Sequence, residues 1–302
     1  MSTGVWYGAA AYALWGLFPV YWKLVQFVPA DQLIAHRLAW SFLLLAGVLA
    51  RHRSRADRGS PQTAAAGLSR QVIALYGGAA ILLALNWFIY VWAVNHAFLV
   101  EASLGYFITP LVNVLLGVGL LRERLRRLQW CAVTLGAAGV VSLSFAYGAV
   151  PWIAIALAIT FGVYGLVKKR APYGPVAGLT VETGVLVLPA IAYLVGVELR
   201  GSGAFGQAAL SSQLLVVASG IITTVPLVLF AAAVHRVPLS LIGILQYISP
   251  TLNFLLGVFV YSEPFTPQQL AGFALVWSAL IVFGAEGFRA RSQLRSVTVS
   301  EV

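Results

Sequence analysis

The segment YFITPLVNVLLGVGLLRE, residues 106–123, is repeated later in the chain as QYISPTLNFLLGVFVYSE, residues 246–263. The two segments align without a gap at a constant offset of 140, and 8 of their 18 positions are identical. Both copies carry a proline, an asparagine and a closing glutamate at matching positions. The repetition indicates that one structural unit occurs twice in this protein.

The composition determines the solvent in which that unit folds. The 302 residues are 60% hydrophobic and only 9% charged, whereas a soluble domain carries about 25% charged residues. A chain with so few charges cannot cover one large soluble core, so its main solvent must be lipid. The single cysteine, Cys131, excludes an intramolecular disulfide framework and a cysteine-rich metal site.

Ten apolar runs reach the length that a membrane-spanning helix needs, which is about 17–25 residues. Because unpaired backbone groups are too costly in lipid, these runs must be helical. The sequence therefore predicts an all-α integral membrane protein with ten transmembrane helices. The predicted spans are 4–28, 32–50, 71–95, 100–121, 128–146, 150–167, 176–197, 212–234, 239–261 and 267–287.

The basic residues predict the orientation of these helices. With both termini placed in the cytoplasm, 16 of the 19 Lys and Arg residues fall on cytoplasmic segments, and only Arg200 falls on an outer loop. This bias is a strong positive-inside signal. It also accounts for the net charge of +10 through contacts with anionic lipid, so nucleic acid is not a predicted partner.

The two copies of the opening segment begin the fourth and ninth spans, so they cross the membrane in opposite directions. An offset of 146 similarly relates 15–18 to 161–164 and 36–37 to 182–183. We therefore predict two inverted five-helix repeats, 1–148 and 149–288, followed by a disordered cytoplasmic tail, 289–302. Inverted repeats are common in secondary transporters, which bind substrate near the midplane between the repeats.

Several further stretches resemble the RarD family, in the EamA branch of the drug/metabolite transporter superfamily. They are LWGLFPVYWK (14–23), AHRLAWS (35–41), NWFIYVWAVN (86–95), EASLGYFITPLVNVLLG (101–117), ERLRRLQW (123–130) and ITTVPLVLFAAA (222–233). The resemblance covers nearly the whole chain, although Thr109 stands where the family pattern has Asn. The resemblance implies a ten-helix permease of the bacterial inner membrane and a link to chloramphenicol sensitivity. It provides no established binding residues that could be assigned to positions of this chain.

Ionisable residues inside spans are candidate functional residues. Lys23, His36 and Arg37 are predicted about 8 Å below the outer surface, where they would form a basic cluster for a carboxylate or phosphate. Alternatively, Lys23 and Arg37 extend to the interface or pair with Glu101.

Two residues are candidates for ion coupling. Glu182 lies inside the seventh span on the cytoplasmic side, and His36 is of the residue type whose unperturbed pKa is near neutral. The alternatives are a Glu182–Lys168 ion pair and a packing role for His36.

Prolines and mid-span polar or aromatic residues complete the candidate site. Pro110 and Pro250 predict helix kinks. The residues predicted to line a midplane substrate site are Trp15, Asn86, Trp87, Tyr90, Asn113, Tyr247 and Asn253. Helix packing explains each of these amides and rings equally well.

The leading prediction for function is a secondary transporter of a small metabolite or drug-like solute, working by alternating access. The family resemblance implies export. Coupling to protons or exchange is the expected energy source, because the sequence has no GxxxxGK[ST] motif for a nucleotide. No cofactor and no metal site are predicted, and a homodimer is compatible with the sequence. The alternatives are a membrane enzyme acting on a lipid-linked substrate and a passive channel.

Overall fold

The computed structural model describes residues 3–56, 69–96, 98–147, 151–262 and 267–300, and every regular element in these ranges is helical. The first six helices are α1 (Thr3–Gly16), α2 (Phe18–Leu24), α3 (Ala30–Ala56), α4 (Arg70–Asn95), α5 (Leu99–Leu121) and α6 (Arg127–Tyr147). The others are α7 (Trp152–Arg170), α8 (Pro175–Leu199), α9 (Leu210–Val234), α10 (Leu239–Gln246), α11 (Ile248–Leu255) and α12 (Pro267–Ser300). A π-helical segment, Leu256–Val260, follows α11 directly.

Within the described ranges, 7 helical stretches are long and apolar enough on their own to cross a membrane. They are Ala30–Arg51, Arg70–Ala93, Leu104–Leu121, Trp152–Arg170, Pro175–Leu199, Leu210–Val234 and Leu239–Val260. Of the other three predicted spans, the tenth contains a shorter apolar stretch, Leu270–Glu286. The first span corresponds to α1 and α2, and the fifth to α6. The prediction of an all-helical membrane protein is confirmed.

Two predicted spans are interrupted helices. The span predicted at 4–28 breaks at Leu17 and ends at Leu24, and the span predicted at 239–261 breaks at Tyr247. Each break lies shortly before a proline, Pro19 or Pro250. A proline has no N–H to bond the carbonyl four residues earlier, which weakens the helix there. The break at Tyr247 lies beside the kink that the sequence predicts at Pro250, whereas the break at Leu17 is not predicted.

α5 continues through Pro110 without an interruption. The hydroxyl of Thr109 donates a hydrogen bond to the Gly105 carbonyl (2.6 Å), within the same turn. In the equivalent position of the other copy, the hydroxyl of Ser249 donates instead to the Tyr12 carbonyl on α1 (2.6 Å). The two prolines therefore have different consequences in the two copies.

The helices pack in a small number of close pairs. α1 lies against α9, α10 and α11, and α7 lies against α4 and α5. α3 packs on α8 and α9. α5 packs on α10, and α6 packs on α12. Some crossings leave no room for a side chain: a Cβ on Gly220 would lie 2.6 Å from the Cβ of Trp40. The centre is filled by large side chains, including the fully buried Tyr12, Tyr164, Phe230 and Leu239.

The helix connections gather at two ends of the bundle. At the basic end, connections 122–126, 171–174 and 235–238 are joined by contacts such as that of His235 Nε2 with the Ala171 carbonyl (3.1 Å). At the opposite end, connection 200–209 folds back on α3, where Gln32 Nε2 donates to the Ser202 carbonyl (2.9 Å).

The last helix extends beyond the predicted end of the tenth span. The sequence predicts a disordered tail from residue 289, whereas α12 continues to Ser300. Residues 288–300 contain neither proline nor glycine, so no residue type that breaks a helix occurs there.

Candidate functional site

Arg37 is buried inside the apolar span formed by α3, with 9% of its surface exposed. Its Nε donates a hydrogen bond to Thr223 Oγ1 on α9 (2.8 Å). Arginine stays protonated in proteins, so this position holds a full positive charge. Burying such a charge is costly unless other groups compensate for it.

Aromatic rings surround the Arg37 guanidinium. Its central carbon lies 4.9 Å from the ring centroid of Trp22 on α2 and 4.4 Å from that of Trp87 on α4. Both distances are in the range of cation–π attraction. The phenol rings of Tyr90 and Tyr106 lie close enough to interact with the charge electrostatically, and they pack against each other at 6.3 Å.

No carboxylate among the described side chains pairs with Arg37, since the two ion pairs found there are Arg126–Glu286 and Lys168–Glu182. The side chain of Glu101, the partner that the sequence offers, lies outside the described residues. A guanidinium presents a planar fork of N–H donors that matches a carboxylate or a phosphate. The arrangement can therefore bind an anion between aromatic walls.

The other two predicted cations do not join Arg37. Lys23 is exposed, and its Nζ lies 3.2 Å from the ring centroid of Tyr261. His36 is buried and packs on Phe205 of connection 200–209, with ring centroids 4.8 Å apart. Lys23, His36 and Arg37 thus contact different groups, and the contacts of His36 are those of a packing residue.

Glu182 forms a second buried charged group near the basic end. Its Oε1 accepts a hydrogen bond from Lys168 Nζ (2.6 Å), and its Oε2 accepts one from the Tyr164 hydroxyl (3.1 Å). The side chains of Lys168 and Glu182 are each only 1% exposed. This is the ion pair that the sequence leaves open as an alternative. It forms because the two residues face each other near the ends of α7 and α8, which are joined by a short connection.

Aromatic rings from α1, α7 and α9 form a packed cluster. Trp15 contacts Tyr12, Phe161 and Phe230 at centroid distances of 5.4, 5.9 and 5.7 Å. Phe230 in turn stacks on Tyr164 at 6.0 Å. Trp15 is thus part of a packed aromatic centre that connects α1, α7 and α9.

Asn86 joins two helices through its side-chain amide. Its Nδ2 donates to the Leu157 carbonyl and to Thr160 Oγ1, both at 2.9 Å. Both acceptors belong to α7, so the amide of α4 is used for helix packing in this conformation.

The remaining candidates lie away from Arg37. Asn113 Nδ2 donates to Gln246 Oε1 (3.0 Å) where α5 meets α10. Asn253 keeps a buried side-chain oxygen with no hydrogen bond in the described part of the chain. Tyr247 lines a small apolar cavity together with Pro110. The contacts of Asn113 and Tyr247 are those of the packing alternative that the sequence leaves open.

Sequence reasoning did not select three residues of the Arg37 site, Thr223, Trp22 and Tyr106. Thr223 is 186 positions from Arg37 along the chain, and no pattern in the sequence links the two. The one sequence signal for Thr223 is that it forms a pair of hydroxyl residues with Thr224, just before Pro226 in a mostly apolar span. Trp22 follows the break at Leu17. The orientation of its side chain toward Arg37 therefore depends on an interruption that the sequence does not predict.

The chain matches the EamA-like transporter family twice, over residues 2–145 and 149–285. A protein of Bacillus subtilis named uncharacterized transporter YojE is 44% identical over 285 residues, covering 93% of each chain. Protein RarD of Streptomyces exfoliatus is 40% identical over 295 residues, covering 97% of this chain and 92% of its own. The chloramphenicol-sensitive protein RarD of Pseudomonas aeruginosa is 31% identical over 298 residues, covering 95% of each chain.

A solved crystal structure shares the fold. It superposes with a TM-score of 0.67 over 93% of this chain and 96% of its own, at 24% sequence identity.

Proposed function

Because the chain belongs to the EamA-like transporter family, we propose that it is a secondary transporter that moves a small anionic solute by alternating access. The two halves, 1–148 and 149–288, are related by inverted topology and rock against each other around Arg37. The solute binds through a carboxylate or phosphate group. Export, driven by protons or by exchange, is the direction that the family resemblance favours.

Three observations support the duplicated architecture. The family matches the chain separately over residues 2–145 and 149–285. The helix contacts of α1 with α9, α10 and α11 correspond to those of α7 with α4 and α5. The next-to-last residue of each copy also has a left-handed backbone, Arg122 (φ 56°) and Ser262 (φ 54°). This conformation is uncommon outside glycine, so its recurrence at an offset of 140 points to a repeated turn.

The proposed orientation places the basic end in the cytoplasm, together with both termini. The uneven distribution of Lys and Arg supports it through the positive-inside rule. The bacterial inner membrane is then the expected location, and Arg37 lies in the outer half of the protein.

The observation that carries the substrate proposal is the environment of Arg37. Its charge is buried between Trp22 and Trp87, with no carboxylate partner among the described side chains. Its hydrogen bond to Thr223 connects the first half to the second. A solute can bind to a charge in this position. The surroundings of the charge change when the two halves move.

Ligand-induced thermal stabilisation of the purified protein in detergent tests the proposal, because a ligand that binds the native state raises its apparent stability. The panel holds amino acids, organic acids, phosphate esters and chloramphenicol, the last chosen from the name of the Pseudomonas relative. We expect a saturable shift with an anionic compound that is lost in Arg37→Ala and kept in Arg200→Ala, since Arg200 is exposed.

A shift that persists in Arg37→Ala would contradict the binding site. In a separate experiment, uptake into proteoliposomes distinguishes a transporter from a channel. Flux through the transporter must saturate and show counterflow.

A further inference from the structure

The connection between α9 and α10, residues 235–238, is held by a carboxylate from the other half of the chain. Glu123 Oε1 accepts a hydrogen bond from the backbone N–H of Leu239 (2.6 Å). Its Oε2 accepts one from the N–H of Ser240 (2.9 Å) and one from the Ser240 hydroxyl (2.7 Å). The residue before α10 is Pro238, which provides no side-chain cap. Glu123 thus supplies the acceptors that the first turn of α10 lacks.

A cation holds the other side of the same connection. Lys169 Nζ donates to the carbonyl of Val234, the last residue of α9, and to that of Val237 in the connection. An anion at the start of a helix and a cation at the end of a helix are both favoured by the helix dipole. The two charges therefore fix residues 235–238 from both sides.

The direction of Glu123 follows from the turn that ends α5. Arg122 adopts a left-handed backbone (φ 56°), and the N–H of Glu123 donates to the Gly117 carbonyl (3.0 Å). A Cβ on Gly117 would lie 2.6 Å from Glu123 Oε2. The close approach of Glu123 thus depends on a glycine at this position.

α10 is built as a separate unit. It is 8 residues long and lies between connection 235–238 and the break at Tyr247. Its residues Leu239 and Ile242 are fully buried in the same hydrophobic cluster as Tyr164 and Phe230. A movement of α10 about Tyr247 would open this cluster from the basic end.

We propose that α10 is the gate at the basic end and that Glu123 is the latch that keeps it closed. The gate opens when the Glu123 carboxylate leaves the first turn of α10. This proposal rests on the proposed alternating access, but its test reads the movement of α10 without any solute.

The chain has a single cysteine, Cys131, which is exposed and would itself react with a maleimide, so the test first replaces it. In a Cys131→Ser background, Ile242→Cys places a thiol on the buried face of α10. The rate of its reaction with a polar maleimide then measures opening of the gate. We expect Glu123→Ala to raise this rate about tenfold or more, since one hydrogen bond to a charged group is worth about that factor. Glu123→Gln, which keeps one acceptor oxygen, should give a smaller rise.

Two controls separate a latch from general loosening. Ser219→Cys reports from a fully buried site on the half of α9 near the opposite end, and its labelling should not rise with Glu123→Ala. Glu286→Gln removes a carboxylate that pairs with Arg126, and it should leave labelling of Ile242→Cys unchanged. If both thiols become reactive, Glu123 is a structural cap and the latch is wrong.

Hydrogen exchange provides a readout that needs no new thiol. Faster exchange confined to residues 239–246 in Glu123→Gln is the expected result, and exchange equal to that of the parent would overturn the proposal. Absence of solute binding or saturable flux in the parent protein would instead contradict the proposed function, whatever α10 does.

Discussion

Arg37 and the Lys168–Glu182 pair are both buried charges in apolar spans, but their contacts join different parts of the chain. Lys168 and Glu182 lie on adjacent helices of the second half, so their ion pair joins two parts of one half. Arg37 belongs to the first half and reaches Thr223 of the second. The pair is neutral as a whole, whereas Arg37 is compensated by rings and a hydroxyl. We therefore expect the pair to govern stability and Arg37 to govern transport.

The largest effect is expected from Lys168→Met. It leaves Glu182 buried without its counter-charge, which should lower the free energy of unfolding by about 3–5 kcal/mol. Unfolding in detergent measures this change. The double variant Lys168→Met/Glu182→Leu removes both charges and should recover most of the loss. A double variant as unstable as the single one would show that the two residues do not act as a unit.

The same double variant tests the predicted role of Glu182 in ion coupling. If proteoliposomes that contain it still transport solute with the pH dependence of the parent, Glu182 does not carry the coupled proton.

Arg37→Ala should reduce transport about 100-fold, because two charge-assisted hydrogen bonds to the solute would be lost. Initial rates in proteoliposomes measure the reduction. Arg37→Lys keeps the charge without the planar fork and should recover only part of the rate. Transport by Arg37→Ala equal to that of Arg200→Ala would remove Arg37 from the site.

Tyr164→Phe should lower the free energy of unfolding by about 1–2 kcal/mol, because Glu182 loses a hydrogen-bond donor. Tyr12→Phe is the matched control, since the buried Tyr12 hydroxyl makes no hydrogen bond within the described part of the chain. Thermal unfolding of both variants gives the comparison. Equal losses would show that the bond to Glu182 contributes nothing.

The smallest effect is expected from Thr223→Val, which removes the acceptor of Arg37 Nε with little change of shape. We expect roughly fivefold weaker solute binding, equivalent to about 1 kcal/mol. Thr224→Val serves as control, because the Thr224 hydroxyl is buried without a hydrogen bond among the described residues. Titrations of the thermal shift measure the difference, and equal affinities in both variants would argue against positioning by Thr223.

The sequence predicts the helices well because apolar length alone decides them in lipid. The sequence predicts a kink at Pro250, close to the break at Tyr247, but it does not predict the interruption at Leu17. Pro110, Pro189 and Pro226 lie inside continuous helices, so a proline by itself does not decide between a continuous and an interrupted helix. Surrounding helices decide which outcome occurs.

Contacts at short range were easier to anticipate than contacts between the halves. Lys168 and Glu182 are 14 positions apart on adjacent helices, so their pairing was among the alternatives. The contact of Arg37 with Thr223 depends on the packing of α3 against α9, which composition and periodicity do not specify.

The unequal shapes of the two copies have a consequence for symmetry. Residues 106–123 include the continuous α5 segment, whereas residues 246–263 include the break at Tyr247, α11 and the π-helical segment. Under the proposed inverted topology, two halves in identical conformations would make both ends of the bundle equivalent, so a difference between the copies would open the molecule to one side at a time. If the halves exchange conformations, the interruption moves to the position equivalent to Tyr247. Phe107 would then stand at the break, and the second copy would become the straight helix.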